Sequence, residues 1–234
     1  MKIFALPISL ACLFLFAVTV HAQETNVLTA AEEALGFELL FDGKALSSEI
    51  WQNENSIAGY PVENGVVVCR KGGNLLTRKE YGNFIFRFEF KLPPGGNNGL
   101  GIRAESVSKD AAYHGMELQI LDNSAEQYKT LAPYQFHGSI YGVVPAKRNA
   151  EKNDYQKPVG EWNCQEVIVQ GTKIKVILNG ETTVDADIAQ FRTNQTLTEK
   201  IPGLLRERGF VGFLGHGDPV EFRNIRIKSL DGPM

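Results

Sequence analysis

The sequence is sparing with the residues that announce most chemistries. It has three cysteines, two tryptophans and three methionines in 234 residues. Its net charge of −3 and pI near 5.9 leave no basic stripe for a nucleic acid. There is no P-loop, no dinucleotide fingerprint, no Gly-x-Ser-x-Gly elbow and no His-Glu-x-x-His pair, so the common sequence marks of nucleotide, serine-hydrolase and zincin chemistry are all missing. Long apolar runs are missing too, apart from Ile3–Val20. That run follows Met1 and Lys2 and ends at Val20-His21-Ala22, the small-x-small pattern of a signal-peptidase site. Residues 1–22 therefore read as an export leader, and 23–234 as one periplasmic or secreted domain with no membrane span. Beyond the leader only Cys69 and Cys164 remain, too few for a disulfide scaffold. Nothing in the spacing brings the two together, and small buried hydrophobes are their simpler role.

What is present is strand and turn. Thr29-Ala30-Ala31-Glu32 predicts a capping box for one short helix, stopped by Gly36. Phe84 to Lys91 alternates four phenylalanines with mostly charged residues, the pattern of a half-buried antiparallel strand. Lys173–Leu178 runs into Asn179-Gly180, a hairpin turn, with Val167–Val169 as a partner before Gly171. Further strands are expected at 37–41, 64–70, 99–104, 115–122, 208–214 and 219–229, the last with a bulge near Asn224. Many short strands and little helix predict an all-β fold, two antiparallel sheets packed as a sandwich. Residues 123–160 and 187–207 resist a strand reading, and insertions of that length wrap an edge or rim a binding face.

The chemistry-bearing segment is Gly115 to Asp122. Period two sends Met116, Leu118 and Ile120 to the core, and Glu117 and Gln119 to the opposite face. In Gly99-Leu100-Gly101-Ile102-Arg103 the same rule puts Arg103 with two glycines. If the two strands are neighbours, Arg103 and Glu117 meet on a floor lowered by glycine; the alternative is a solvated cross-strand ion pair. His114, His137 and His216 lie near strand ends or in loops, with no metal-ligand spacing among them. A histidine titrating near neutrality is a natural proton shuttle. Trp51, Tyr60, Tyr134, Tyr141 and Trp162 are candidates for stacking on a sugar ring, with Trp162 equally readable as core.

Four segments together resemble the 3-keto-disaccharide hydrolase family: Gly36–Lys44, Glu117-Leu118-Gln119-Ile120-Leu121-Asp122, Gly160-Glu161-Trp162-Asn163 and Val220–Ile225. They occur in that family's order and span roughly residues 34–230. The resemblance implies a concanavalin-like jelly roll, exported in many Bacteroidetes-type bacteria, that cleaves glycosides whose glucose unit is oxidised at C3. Family members often carry Leu-Gln-Asp-His-Gly where this chain has Phe213-Leu214-Gly215-His216-Gly217; the histidine and glycine remain, while the amide and carboxylate do not.

A ketone at C3 acidifies the C2 proton, so a base can remove it and the C1 substituent can leave by β-elimination, with or without later hydration. The route needs a base, a stabiliser of the enolate oxygen and an acid. The residues offer His137 or Glu117 as base, Arg103 as enolate partner, and Asp122 or His216 as acid or orienting group. Gln119, Tyr141, Trp162 and Tyr134 are the candidate substrate contacts. A divalent metal ion is an alternative electrophile. The expected partner is a small oxidised disaccharide, oligosaccharide or glycoside. Two other readings remain. One is a retaining β-glucanase-type glycosidase, which needs Glu117 and Asp122 as a close carboxylate pair. The other is a lectin-like carbohydrate-binding module.

Overall fold

The computed structural model describes residues 24–54, 57–70, 73–109 and 111–232. The expected leader, residues 1–22, lies outside the described residues. Two antiparallel sheets pack face to face. The strands are β1 (Glu38–Leu39), β2 (Trp51–Gln52), β3 (Val62–Glu63), β4 (Val66–Val68), β5 (Gly73–Thr77), β6 (Phe84–Lys91), β7 (Asn97–Ala104), β8 (Met116–Leu121), β9 (Trp162–Gln170), β10 (Lys173–Leu178), β11 (Glu181–Asp187), β12 (Phe210–Gly215) and β13 (Glu221–Ser229). The larger sheet runs β11-β10-β9-β6-β13-β4-β3, with β1 also on β13; the smaller runs β2-β5-β12-β7-β8.

Alternation along β6 places Phe84, Phe86, Phe88 and Phe90 in the interior, each 2% exposed or less. The smaller sheet answers mainly with Phe213 of β12. Its ring stacks on Phe222 of β13 at 3.9 Å between centroids and meets Phe88 edge-on at 5.4 Å. Rings of this size dominate the burial that holds the two layers together. The Asn179-Gly180 turn joins β10 to β11 with both residues at positive φ, as a tight hairpin requires. The bulge expected near Asn224 is present: the β13–β6 register shifts between Arg223 and Arg226, and Asn224 has φ 53°. Asn26 and Asn224 then exchange backbone-to-side-chain hydrogen bonds across the bulge.

The two segments that resist a strand reading bridge the edges of the two sheets. Residues 136–141 run along the free edge of β8, where Gly138 and Tyr141 donate to the carbonyls of Gln119 and Glu117 and Ser139 accepts from Gln119. Residues 188–204 hold three short helical turns, one of them the α-helix Gln195–Lys200, and Gly203 packs on the backbone of Gly115. Strand β5 and the two-residue strands escape sequence patterning because they are too short or too uniform to alternate. Cys69 and Cys164 are both free thiols, one buried near Tyr60 and the other exposed on the outer face of the larger sheet.

Helix α1 (Ala30–Ala34) carries its capping box: Thr29 and Glu32 satisfy each other's backbone N–H groups. Glu32 also accepts from Arg226 of β13 at 2.7 Å, the two side chains 11% and 8% exposed. Burial alone raises the Glu32 carboxyl. The Thr29 hydrogen bonds and the Arg226 charge outweigh that burial and hold it below its ordinary value. Among the described residues, removing the arginine leaves the largely buried carboxylate with the more exposed Arg87, 3.4 Å away, as its remaining cationic partner. Arg226→Met is expected to lower stability by about 2 kcal/mol, less than for a fully sequestered pair. Equilibrium urea unfolding measures this, and adding Glu32→Gln should recover part of the loss.

Candidate functional site

The site is built on the outward face of the smaller sheet. Met116, Leu118 and Ile120 are fully buried in the core, so Glu117 and Gln119 face away from it. The pairing of β7 with β8 sets Gly101 opposite Glu117 and Gly99 opposite Gln119, and Gly212 of β12 lies beside Gly101. Three glycines on adjacent strands make the lowered floor that the sequence pattern predicts. The Glu117 side chain lies across this floor: a Cβ on Gly99 would overlap Glu117 Oε1 and stand 2.8 Å from its carboxyl carbon.

Strand β12 ends at Gly215, opposite Asn98, and the chain turns through His216 and Gly217. The next residue, Asp218, accepts a hydrogen bond from the Asn97 backbone N–H at 3.0 Å, tying the turn to the start of β7. In this position His216 Nε2 is 3.7 Å from Glu117 Oε1. The two partners differ sharply in exposure, 46% for the His216 side chain and 4% for that of Glu117. Glu117 Oε1 is buried and, among the described residues, accepts no hydrogen bond. An unsatisfied buried acceptor is costly and rare, and it points to a ligand or a chemical role. Beside the pair lies a cleft of about 250 Å³, lined by Glu54, Asn74, Val107, Lys109, Leu214 and His216. Its outer loop is fastened by Glu105, which Lys109 and Arg206 bind at 2.8 and 2.6 Å; their hydrogen bonds pull its carboxyl down to about 2. Among the described residues no three His, Cys, Asp or Glu side chains gather into a ligand set for a divalent ion.

Of the residues singled out in the sequence, this face brings together Glu117, Gln119 and His216. Gln119 Oε1 accepts from the Ile120 N–H at 3.2 Å. Tyr141 is close by through its N–H on the Glu117 carbonyl, and its hydroxyl accepts from Gln135. Tyr134 is 42% exposed in the loop before them.

Six others go elsewhere. Arg103 does not share a face with Glu117. It sits at a bulge with φ 52°, where the β12–β7 register shifts, and its guanidinium donates to the Gly171 carbonyl in the β9–β10 turn of the other sheet. Burial first, and the nearby Arg192 second, lower its pKa to about 10. Asp122 accepts from the backbone of Gly95 and Ser124 and from the Ser124 hydroxyl, so it holds turns together and forms no carboxylate pair with Glu117. Trp162 lies on the larger sheet, with Arg223 and Lys91 on its ring. His137 is 3% exposed, packs on Phe90, and accepts from the Leu121 N–H through Nδ1. Trp51 and Tyr60, offered as stacking residues, are core.

Sequence reasoning missed Asn97, Asn74, Lys109 and Asp218. Among the described residues Asn97 Oδ1 is likewise a buried acceptor with no hydrogen-bond donor. Its neighbour Asn98 faces the core, so alternation puts Asn97 on the Glu117 face. An Asn-Asn pair before glycine reads as a turn, and no local signal distinguishes it.

By its two packed antiparallel sheets the chain is a β-sandwich protein. A solved O-glycanase of the human gut microbiota, 13% identical with a TM-score of 0.50, shares the fold. The chain itself is a member of the 3-keto-alpha-glucoside-1,2-lyase-like domain family, whose profile matches residues 36–228. It is similar to the 3-keto-disaccharide hydrolase of Bacteroides thetaiotaomicron, 26% identical over 92% of this chain and 86% of the relative. Two solved glycosyl hydrolase candidates from Parabacteroides distasonis are also similar. One is 27% identical with a TM-score of 0.74, covering 89% of this chain and all (100%) of that one. The other is 29% identical with a TM-score of 0.65, covering 83% and 99%.

Two measurements follow from the geometry. Gly99→Ala should displace the Glu117 carboxylate; a crystal structure of the variant is expected to show it moved off β7 with the sheet intact. Burial holds the His137 pKa down to about 4, against about 6.5 in an unfolded chain. As pH falls through that interval the unfolded state takes up a proton that the folded state refuses, so stability decreases. His137→Asn keeps an acceptor for Leu121 but removes the titration, and its thermal midpoint should change less between pH 7 and 5 than that of the parent.

Proposed function

We propose that the chain is an exported enzyme that cleaves 3-keto-glucosides and 3-keto-disaccharides, by removal of the C2 proton and β-elimination of the C1 substituent. The observation that carries this reading is the buried Glu117 carboxylate held 3.7 Å from the half-exposed His216. A binding module needs aromatic platforms and gives no reason to bury an unsatisfied carboxylate beside an imidazole. Family membership and the Bacteroides relative's name support the substrate class, and the Met1–Ala22 pattern supports export.

In this reading His216 meets the sugar and Glu117 stands behind it. The imidazole takes the C2 proton, and the C2–H electrons move toward the C3 oxygen as an enolate; its collapse forms the C1–C2 double bond as the C1–O bond breaks. Glu117 stabilises the imidazolium, as a carboxylate behind a catalytic histidine does. The imidazolium then returns its proton to the departing oxygen, and water adding to the enone completes net hydrolysis. Gln119 has its oxygen engaged by Ile120, which leaves its N–H groups to stabilise the developing charge on the C3 oxygen.

Incubation with 3-keto-trehalose, following enone absorbance and released sugar, tests the scheme. Glu117→Gln and His216→Gln are each expected to lower turnover by about two orders of magnitude with little change in melting temperature. Near-parental rates in both variants exclude the pair. Saturable binding of the parent protein without any product favours the module instead.

A further inference from the structure

The outer face of the larger sheet carries a groove of about 700 Å³ that the Glu117–His216 chemistry does not use. Its floor comes from four adjacent strands: Val66 and Val68 of β4, Glu221 and Arg223 of β13, Lys91 of β6, and Trp162 of β9. Pro93, Pro219 and Gly160 form part of the rim. We propose that this groove is a second binding site, for a neutral oligosaccharide, on the opposite side of the sandwich from the candidate active site.

Two features define the ligand. Trp162 is half-buried, and two cations fix its indole: the Arg223 guanidinium lies 4.1 Å and the Lys91 ammonium 5.0 Å from the ring centroid. The part of the indole that the cations leave open, with the half-buried Val66, offers apolar surface of the kind that packs on the C–H face of a pyranose. The charges are matched. Arg70 grips Glu63 through both Nε and Nη2 at 2.9 and 2.6 Å, Lys91 holds Glu221 at 2.6 Å, and Arg223 holds Glu89 at 2.6 Å. A phosphate or carboxylate ligand would have to displace a glutamate to gain a cation. Hydroxyl groups need only the lone pairs and N–H groups that the ion pairs leave over, already oriented. Apolar faces between paired, preorganised charges suit a neutral polyhydroxyl chain.

The chain has two tryptophans, and Trp51 is fully buried with its Nε1–H on the Leu40 carbonyl. A ligand-dependent change in tryptophan emission therefore reports Trp162. Titration of the leaderless protein with maltohexaose and with cellohexaose is expected to give a saturable change for at least one, with Kd between about 0.1 and 1 mM. By calorimetry Trp162→Ala should weaken that binding on the order of tenfold or more, and Glu117→Gln should leave it unchanged. Arg70→Ala, at a side chain 54% exposed, gives a second variant if the first does not fold. Binding of neither sugar, binding that survives both groove substitutions, or binding lost in Glu117→Gln overturns the proposal. So does stronger binding of a hexagalacturonate, which shares the chain length but carries a carboxylate on every ring. None of these outcomes depends on turnover of a 3-keto sugar.

Discussion

The candidate site depends on one close approach, the Glu117 carboxylate lying over the backbone of β7 at Gly99. Any side chain there would push the carboxylate up into solvent, where it would be hydrated like an ordinary surface acid. With glycine at that position the carboxylate settles among backbone groups already committed to the sheet ladder, and one of its oxygens is left with no donor. Such an oxygen is costly by itself. It is tolerable because His216 stands nearby and, on the proposed reading, becomes a cation during the reaction.

The position of His216 is in turn a product of the core. Phe213, three residues earlier, is locked between Phe222, Phe88 and Trp51, so β12 has no freedom to slide. Its last residues pair with β5 and β7 as far as Gly215, and Asp218 clamps the turn to Asn97. The histidine therefore projects from a rigid support on both sides. Groups that must meet within fractions of an ångström are usually held this way.

The polar residues that do not reach the site have a common task. His137, Arg103 and Asp122 each serve a backbone group that the sheets leave over: the Leu121 N–H, the Gly171 carbonyl and the Gly95 N–H. A sandwich with long insertions has many such groups at its edges and corners, and buried ones must be partnered. Residue type alone does not separate a histidine that closes an edge from one that moves a proton. Burial and partners distinguish the two histidines: His137 is 3% exposed with its Nδ1 lone pair on the Leu121 N–H, whereas the His216 side chain is 46% exposed.

How much was legible follows from the range of each signal. Period-two patterning is local, so the β6 phenylalanine face, the Asn179-Gly180 hairpin, the bulge at Asn224 and the outward direction of Glu117 could all be read from neighbouring residues. The two-sheet fold followed from the number and spacing of strands, and four short segments carried the family resemblance. Which strands adjoin, and at what register, is a matter of pairings between residues far apart in the chain. Those pairings brought His216 to Glu117, a separation of 99 positions, and a single bulge at Arg103 carried that residue out of the predicted partnership. The sequence by itself determined the fold class and the face on which the carboxylate stands. The tertiary structure alone decided its partner, because alternation sets a side chain's direction whereas its neighbours depend on strand order, register and bulges.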